Sequence, residues 1–118
     1  MKKENPILEK SYQFGLRIVK LHVYLSKELK QFEISSQVLR SGTSIGANVE
    51  EAVGGSSRKD FINKLNIAYK EVRETKYWLR LLKDSETIKE ELAESLIADC
   101  DELLKILYTI INTSRQSL

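Results

Sequence analysis

The 118 residues include a single cysteine, a single proline and a single histidine, and each scarcity closes a chemical route. Cys100 has no second thiol to pair with, so neither an internal disulfide nor a multi-cysteine metal site is available. One histidine, His22, cannot supply the two Glu-x-x-His units that hold paired metal ions in helical bundles, and Glu71 and Glu74 have no nitrogen ligand beside them. The same shortage leaves a hydrolytic triad without support. The glycines of SGTSIGANVEEAVGG follow no strand and spell no G-x-x-x-x-G-K-[ST] phosphate loop. Long hydrophobic runs are absent as well: no stretch reaches the ~18 apolar residues of a membrane span. The N-terminal lysines meet Glu4, Asn5 and Pro6 where a secretion signal needs an apolar segment. The expectation is a soluble, cytoplasmic, non-enzymatic protein with no metal and no cofactor.

No run alternates apolar and polar residues as a half-buried strand would. Instead, apolar residues recur at steps of three and four, and four helices are predicted. The first spans about 7–30, with Asn5 as cap and Pro6 in its first turn. Its core face is Ile7, Ser11, Phe14, Ile18, Leu21 and Leu25, with Leu8, Tyr12, Gly15 and Val19 in a neighbouring stripe. The second spans about 36–53, capped by Ser35 or Ser36. Two glycines inside it each cost about 1 kcal/mol relative to alanine. Leu39, Gly42, Gly46, Val49 and Val53 share one face, so close approach of a neighbouring helix is the expected compensation; a kink at Gly42–Ser44 is the alternative.

Gly54, Gly55 and Ser56 end that helix, and Ser57 with Asp60 opens the third, about 58–83. Its seam is Phe61, Leu65, Ala68, Val72, Thr75, Leu79 and Leu82. The fourth spans about 87–113, with a seam of Ala93, Ile97, Cys100, Leu104, Leu107 and Ile111 and a second stripe of Leu92, Leu96, Leu103, Ile106 and Ile110. Its early glutamates, Glu86, Glu90 and Glu91, suit the positive end of the helix dipole, and residues 114–118 are expected to fray. Short connections make sequential helices antiparallel neighbours. The fold class is therefore all-α, a single-domain up-down-up-down antiparallel four-helix bundle. The first and fourth helices carry more apolar surface than one such core uses, and the excess suits burial against further copies.

Charge is unevenly spread. Residues 1–85 carry 16 basic and 10 acidic side chains, whereas residues 86–118 carry 3 and 7. Two stripes without acids emerge at helical spacing. One is Lys10, Gln13, Arg17, Lys20, Tyr24, Lys27 and Gln31; the other is Lys59, Asn63, Asn66, Lys70, Arg73, Tyr77 and Arg80. Bands of cations and amides with a tyrosine suit a phosphate backbone and exposed bases. Lys10, Arg17, Lys20, Lys59, Lys70, Arg73 and Arg80 are the candidate nucleic-acid contacts. The plainer reading is a solvated outer face, its charge neutralised by the acidic fourth helix.

Two further groupings merit weighing. Arg17 and His22 form an R-x4-H pattern that resembles the signature of HEPN-type helical ribonucleases. Five residues turn an ideal helix through about 500°, which leaves the two side chains roughly 140° apart. Arg40, Ser44, Asn48 and Glu51 lie along one side of the second helix, where Arg40 can face Glu71 and Glu74 across a hairpin. A structural polar network that fixes register is the favoured reading of these six residues, over a ligand site.

The segments LRSGTSIGANVEEA (39–52) and FINKLNIAYKEVRETKYWLRLL (61–82) carry a family resemblance. Arg40, Ser44, Ile45, Gly46, Asn48 and Glu51, followed by Phe61, Leu65, Ile67, Ala68, Glu71, Glu74, Tyr77 and Leu79, resemble the bacterial four-helix-bundle proteins encoded in intervening sequences of 23S rRNA genes. The same fold resembles the accessory variability protein of diversity-generating retroelements. The resemblance implies a closed homo-pentamer with a basic surface that associates with RNA or DNA, and the retroelement relatives also bind a reverse transcriptase. A protein-interaction or scaffold module with no nucleic-acid role is the competing function, and a ribonuclease using Arg17 and His22 is the remote one.

Overall fold

The computed structural model describes residues 5–55 and 57–116, and these residues contain four helices in antiparallel sequence and no strand. Helix α1 spans Pro6–Val23, α2 Phe32–Val53, α3 Arg58–Asp84 and α4 Glu90–Gln116. Capping chemistry sets two of the starts. The Asn5 side chain accepts from the Leu8 backbone N–H at 3.4 Å with Pro6 in the first turn, and the Ser57 hydroxyl accepts from the Asp60 N–H at 3.1 Å. Ser56, expected to help end α2, lies outside the described residues.

The predicted face of α1 is buried in full: Ile7, Ser11, Phe14, Ile18, Leu21 and Leu25 all point into the core. On α3 the seam holds from Leu65 to Leu82, but Ile62 takes the first core position and Phe61 is half-buried. On α4 the core is Ala93, Leu96, Cys100, Leu103, Leu107 and Ile111; Ile97 and Leu104 sit at its edge, so the helix is rotated from the expected setting. Cys100 is fully buried, and desolvation, followed by the nearby Asp101 and Asp99 charges, pushes its thiol up to about 12. A thiol so placed is expected to stay unmodified by a disulfide reagent near pH 8 and to react fully once the chain is unfolded; labelling of the folded protein would contradict the packing.

Three boundaries differ from expectation. Helix α2 starts at Phe32, four residues early, because Ser35 and Ser36 do not cap. Ser35 is buried and its hydroxyl hydrogen-bonds His22 of α1, while the Ser36 hydroxyl donates to the Phe32 carbonyl. The first helix does not run evenly to residue 30. From Tyr24 to Glu28 it widens into a π-turn, with the Leu29 N–H reaching the Tyr24 carbonyl. The hydroxyls of Ser26 and Ser35 donate to the His22 carbonyl at 2.8 and 3.2 Å, and this competition for a ladder acceptor accounts for the loosening. Helix α4 starts at Glu90 rather than Thr87, since the N–H groups of Thr87 and Ile88 turn back to the Leu82 carbonyl and Ile88 plugs the end of the core. It continues to Gln116, so residues 114–116 are helical; residues 117 and 118 lie outside the described set.

The glycines of α2 do what the sequence suggested, without a kink. A Cβ at Gly42 would lie 2.7 Å from both γ carbons of Ile18, and one at Gly46 would lie 3.3 Å from the Ser11 carbonyl oxygen. Val53, placed on the same face by spacing, is instead exposed near the helix end. Between α2 and α3, Ser41 and Thr75 are fully buried with their hydroxyl oxygens 2.8 Å apart.

Candidate nucleic-acid interface

The two predicted cationic stripes meet different fates. On α1, Lys10 pairs with Glu102 at 3.2 Å, and Arg17 pairs with Asp99 at 2.6 Å while donating to the Ser95 hydroxyl at 3.1 Å. These contacts stitch α1 to α4, which meet less closely than the other neighbouring helices. Lys10 and Arg17 thus each stand against an acid of α4, the arrangement the plainer reading describes. Lys20 remains exposed at a cleft of about 270 Å³ floored by Leu21, Leu92 and Leu96.

On α3 the cations of the predicted stripe stay free, while Lys64, Lys76 and Lys83 beside it are paired. Among the described residues, no carboxylate lies within 4.0 Å of Lys20, Lys59, Lys70, Arg73 or Arg80. The α3/α4 boundary gathers Arg73, Tyr77 and Arg80 with Tyr69, Lys76 and Leu104 around a groove of about 250 Å³. Its acid, Asp101, is engaged by Lys76 at 2.7 Å, and the Lys83–Glu94 pair at 3.2 Å closes the next turns. Those two ion pairs share the antiparallel register that the packed cores of α3 and α4 set. Tyr69 and Lys76 were missed from sequence because they lean toward α4, off the stripe that spacing picks out.

The six-residue polar network resolves into separate parts. Arg40 holds Glu71 at 3.4 Å and also Glu74, across α2 and α3 as expected. Ser44 and Asn48 turn to their own helix instead, donating to the carbonyls of Arg40 and Ser44 at 2.6 and 2.8 Å, and Glu51 pairs with Lys64 at 2.9 Å. Short side chains on a helix reach the carbonyl four residues back more readily than a neighbouring rod. The Arg40 hydrogen bond holds the Glu74 carboxyl below its ordinary pKa, and the Trp78 indole N–H, donating at 3.2 Å, acts in the same direction. A carboxyl lowered in this way stabilises the fold above its unfolded pKa and loses that contribution as pH falls through the folded value. Arg40 is half-exposed, so Arg40→Ala is expected to cost no more than about 1 kcal/mol near neutral pH. The difference from wild type should vanish in acid, as urea melts across pH would reveal.

Arg17 and His22 do not converge within the chain. The arginine serves α4, whereas His22 Nδ1 faces Ser35 of α2. Among the described residues no three His, Cys, Asp or Glu side chains gather to hold a metal ion, and no helix is long and apolar enough to cross a membrane.

Fold and surface together define a four-helix bundle whose surface carries free cations and aromatics. The sequence model of the 23S rRNA-intervening sequence proteins matches residues 3–109, and the chain belongs to that family. A crystal structure of a protein of unknown function from the S23 ribosomal protein family of Bacteroides thetaiotaomicron VPI-5482 is similar at 53% identity. The match covers 89% of this chain and 97% of that one, with a TM-score of 0.87. Among curated proteins no match is found.

Proposed function

We propose that the protein is a non-catalytic, self-assembling bundle that associates with RNA or DNA through its α3/α4 surface. The observation that carries this reading is the set of α3 cations without a carboxylate partner, Lys59, Lys70, Arg73 and Arg80, of which Arg73 and Arg80 line a groove with two tyrosines. Free cations release counterions from a phosphate backbone, whereas paired ones must first give up a carboxylate. Lys10 and Arg17 therefore drop from the contact set, and Lys20 stands as an outlying member. Assembly is supported by α1. Tyr12, Leu16, Val19 and Val23 recur at steps of four and three and are 57%, 42%, 43% and 43% exposed, with Phe32 at 61% close to the start of α2. Most of the second apolar stripe of α4 is taken up by or packed on the core, while that of α1 largely is not. A closed ring such as a pentamer would bury this face and repeat the cationic groove around its rim.

The test is binding of labelled RNA and DNA across salt concentrations. Affinity is expected to fall steeply with salt and to vary little with sequence. Replacing both Arg73 and Arg80 by alanine should weaken binding and reduce the log–log salt slope by about two, while replacing Lys10 should change little. Absence of binding at low salt, with one protein partner captured in a nuclease-insensitive way, would favour the scaffold reading instead.

A further inference from the structure

The chain contains one tryptophan, Trp78, which lines a cleft against Phe32, Ile34 and Gln37 of α2 and touches Tyr77 of the α3/α4 groove. The Trp78 ring meets Tyr77 edge-on, with centroids 5.1 Å apart and planes at 65°. Its indole N–H is tied to Glu74, and Glu74 is tied to Arg40 on α2. A surface tyrosine ordinarily swings freely, yet this one is braced by a side chain that is itself anchored across the bundle. Tyr77 nevertheless remains 50% exposed. Arg73 and Arg80, one heptad apart, stand about 10 Å apart along the helix axis on either side of it.

We propose that Tyr77 is a stacking platform for an unpaired base, with Arg73 and Arg80 holding the phosphates on either side, so that the groove takes single-stranded rather than duplex nucleic acid. This rests on the nucleic-acid reading above and narrows it. A base inside a duplex has both faces covered and cannot lie on a tyrosine, while an unpaired base can, and such stacking tolerates any sequence. Two guanidiniums alone would serve a duplex equally well; the braced aromatic between them is what discriminates. Trp78, Glu74 and Arg40 are positioning residues in this scheme. They orient the ring without touching the ligand, which gives the Arg40 network a purpose beyond register.

The natural probe is emission of Trp78, the single indole of the chain and in ring contact with Tyr77. Because Trp78 also lines a cleft against α2, a change counts for this site only if Tyr77→Leu abolishes it. Emission is read together with anisotropy of labelled oligonucleotides of about 12 residues, presented as single-stranded RNA, single-stranded DNA and duplex, with inorganic polyphosphate as a base-free polyanion. Both single strands are expected to bind about ten-fold or more tighter than the duplex and to change the Trp78 emission, because stacking needs no 2′-hydroxyl. Tyr77→Leu should weaken single strands about ten-fold and leave polyphosphate unchanged, while Tyr77→Phe retains both. Arg40→Ala should weaken single strands by a smaller factor and likewise spare polyphosphate. Binding to duplex as tight as to single strands, or a Tyr77→Leu variant that holds single strands as wild type does, overturns the platform while leaving the nucleic-acid role standing. Failure of every probe to bind removes both.

Discussion

Alanine at Gly42 is expected to destabilise the bundle by about 1–3 kcal/mol, even though it removes a glycine from the middle of a helix. By propensity alone the change is favourable by about 1 kcal/mol. The opposing effect is steric and specific. The added Cβ meets both γ carbons of Ile18 at 2.7 Å, and Ile18 is completely buried. A β-branched side chain in a helix has essentially one comfortable χ1 setting, so it cannot turn both carbons aside. The helices must separate or the isoleucine must leave its rotamer. Ile18→Ala deletes both clashing atoms but opens a cavity, at about 2–5 kcal/mol by itself. The double variant is therefore expected to be more stable than the sum of the two losses, by about 0.5–3 kcal/mol, since each change relieves the other. Gly15→Ala is the control: a Cβ there meets nothing within 4 Å, and a gain of about 0.5–1 kcal/mol is expected. Urea midpoints at unchanged slope would measure all four. A neutral Gly42→Ala would mean that α1 and α2 are not held as close as the structure places them.

That pair of residues also marks how far the sequence could be read. Gly42 and Gly46 pointed to a close helix contact, with a kink at Gly42–Ser44 as the alternative, but only the structure names Ile18 and Ser11 as what they admit. The α1 face was legible because its apolar residues contrast with polar flanks. On α4, two adjacent stripes are almost equally apolar, so periodicity set Ile97 and Leu104 in the seam and Leu96 and Leu103 beside it, the reverse of what the structure shows. The acids that face α1 and α3 settle the rotation, with Leu96 and Leu103 inward and Ile97 and Leu104 at the edge. Ser35 misled for a related reason: a serine before a periodic run is a good cap locally, yet its buried bond to His22 overrides that preference. The cationic stripes were legible in spacing, but not in which of their members have an acid beside them. Whether a lysine is free depends on what stands across the groove. For Lys10 and Arg17 that is Glu102 and Asp99, far along the chain; for Arg73 and Arg80 it is tyrosine and leucine.

Under the proposed assembly through α1, placing glutamate at both Leu16 and Val19 is expected to yield single subunits of 13.6 kDa without unfolding them. Both side chains lie about two-fifths exposed on the outer face of α1, away from the buried set, where substitutions ordinarily change stability by no more than about 0.5 kcal/mol. In an assembly the same positions would be dehydrated, and two carboxylates per subunit set three residues apart oppose burial strongly. Helical content and melting temperature should stay near those of wild type while the sedimenting mass falls. The consequence for binding follows from multivalency. One subunit offers one short row, Lys70, Arg73 and Arg80 beside Tyr77; a ring presents several rows to one strand at high effective concentration. Joining sites in this way raises avidity by about 10²–10⁴ with no new contact. The separated variant is thus expected to bind a long single strand about a hundred-fold more weakly, yet to bind an oligonucleotide that reaches only one groove as well as wild type does. A variant that stays assembled would show that α1's apolar stripe is not the face the copies share. One that separates and still holds long strands at full strength would show that a single groove carries all the affinity.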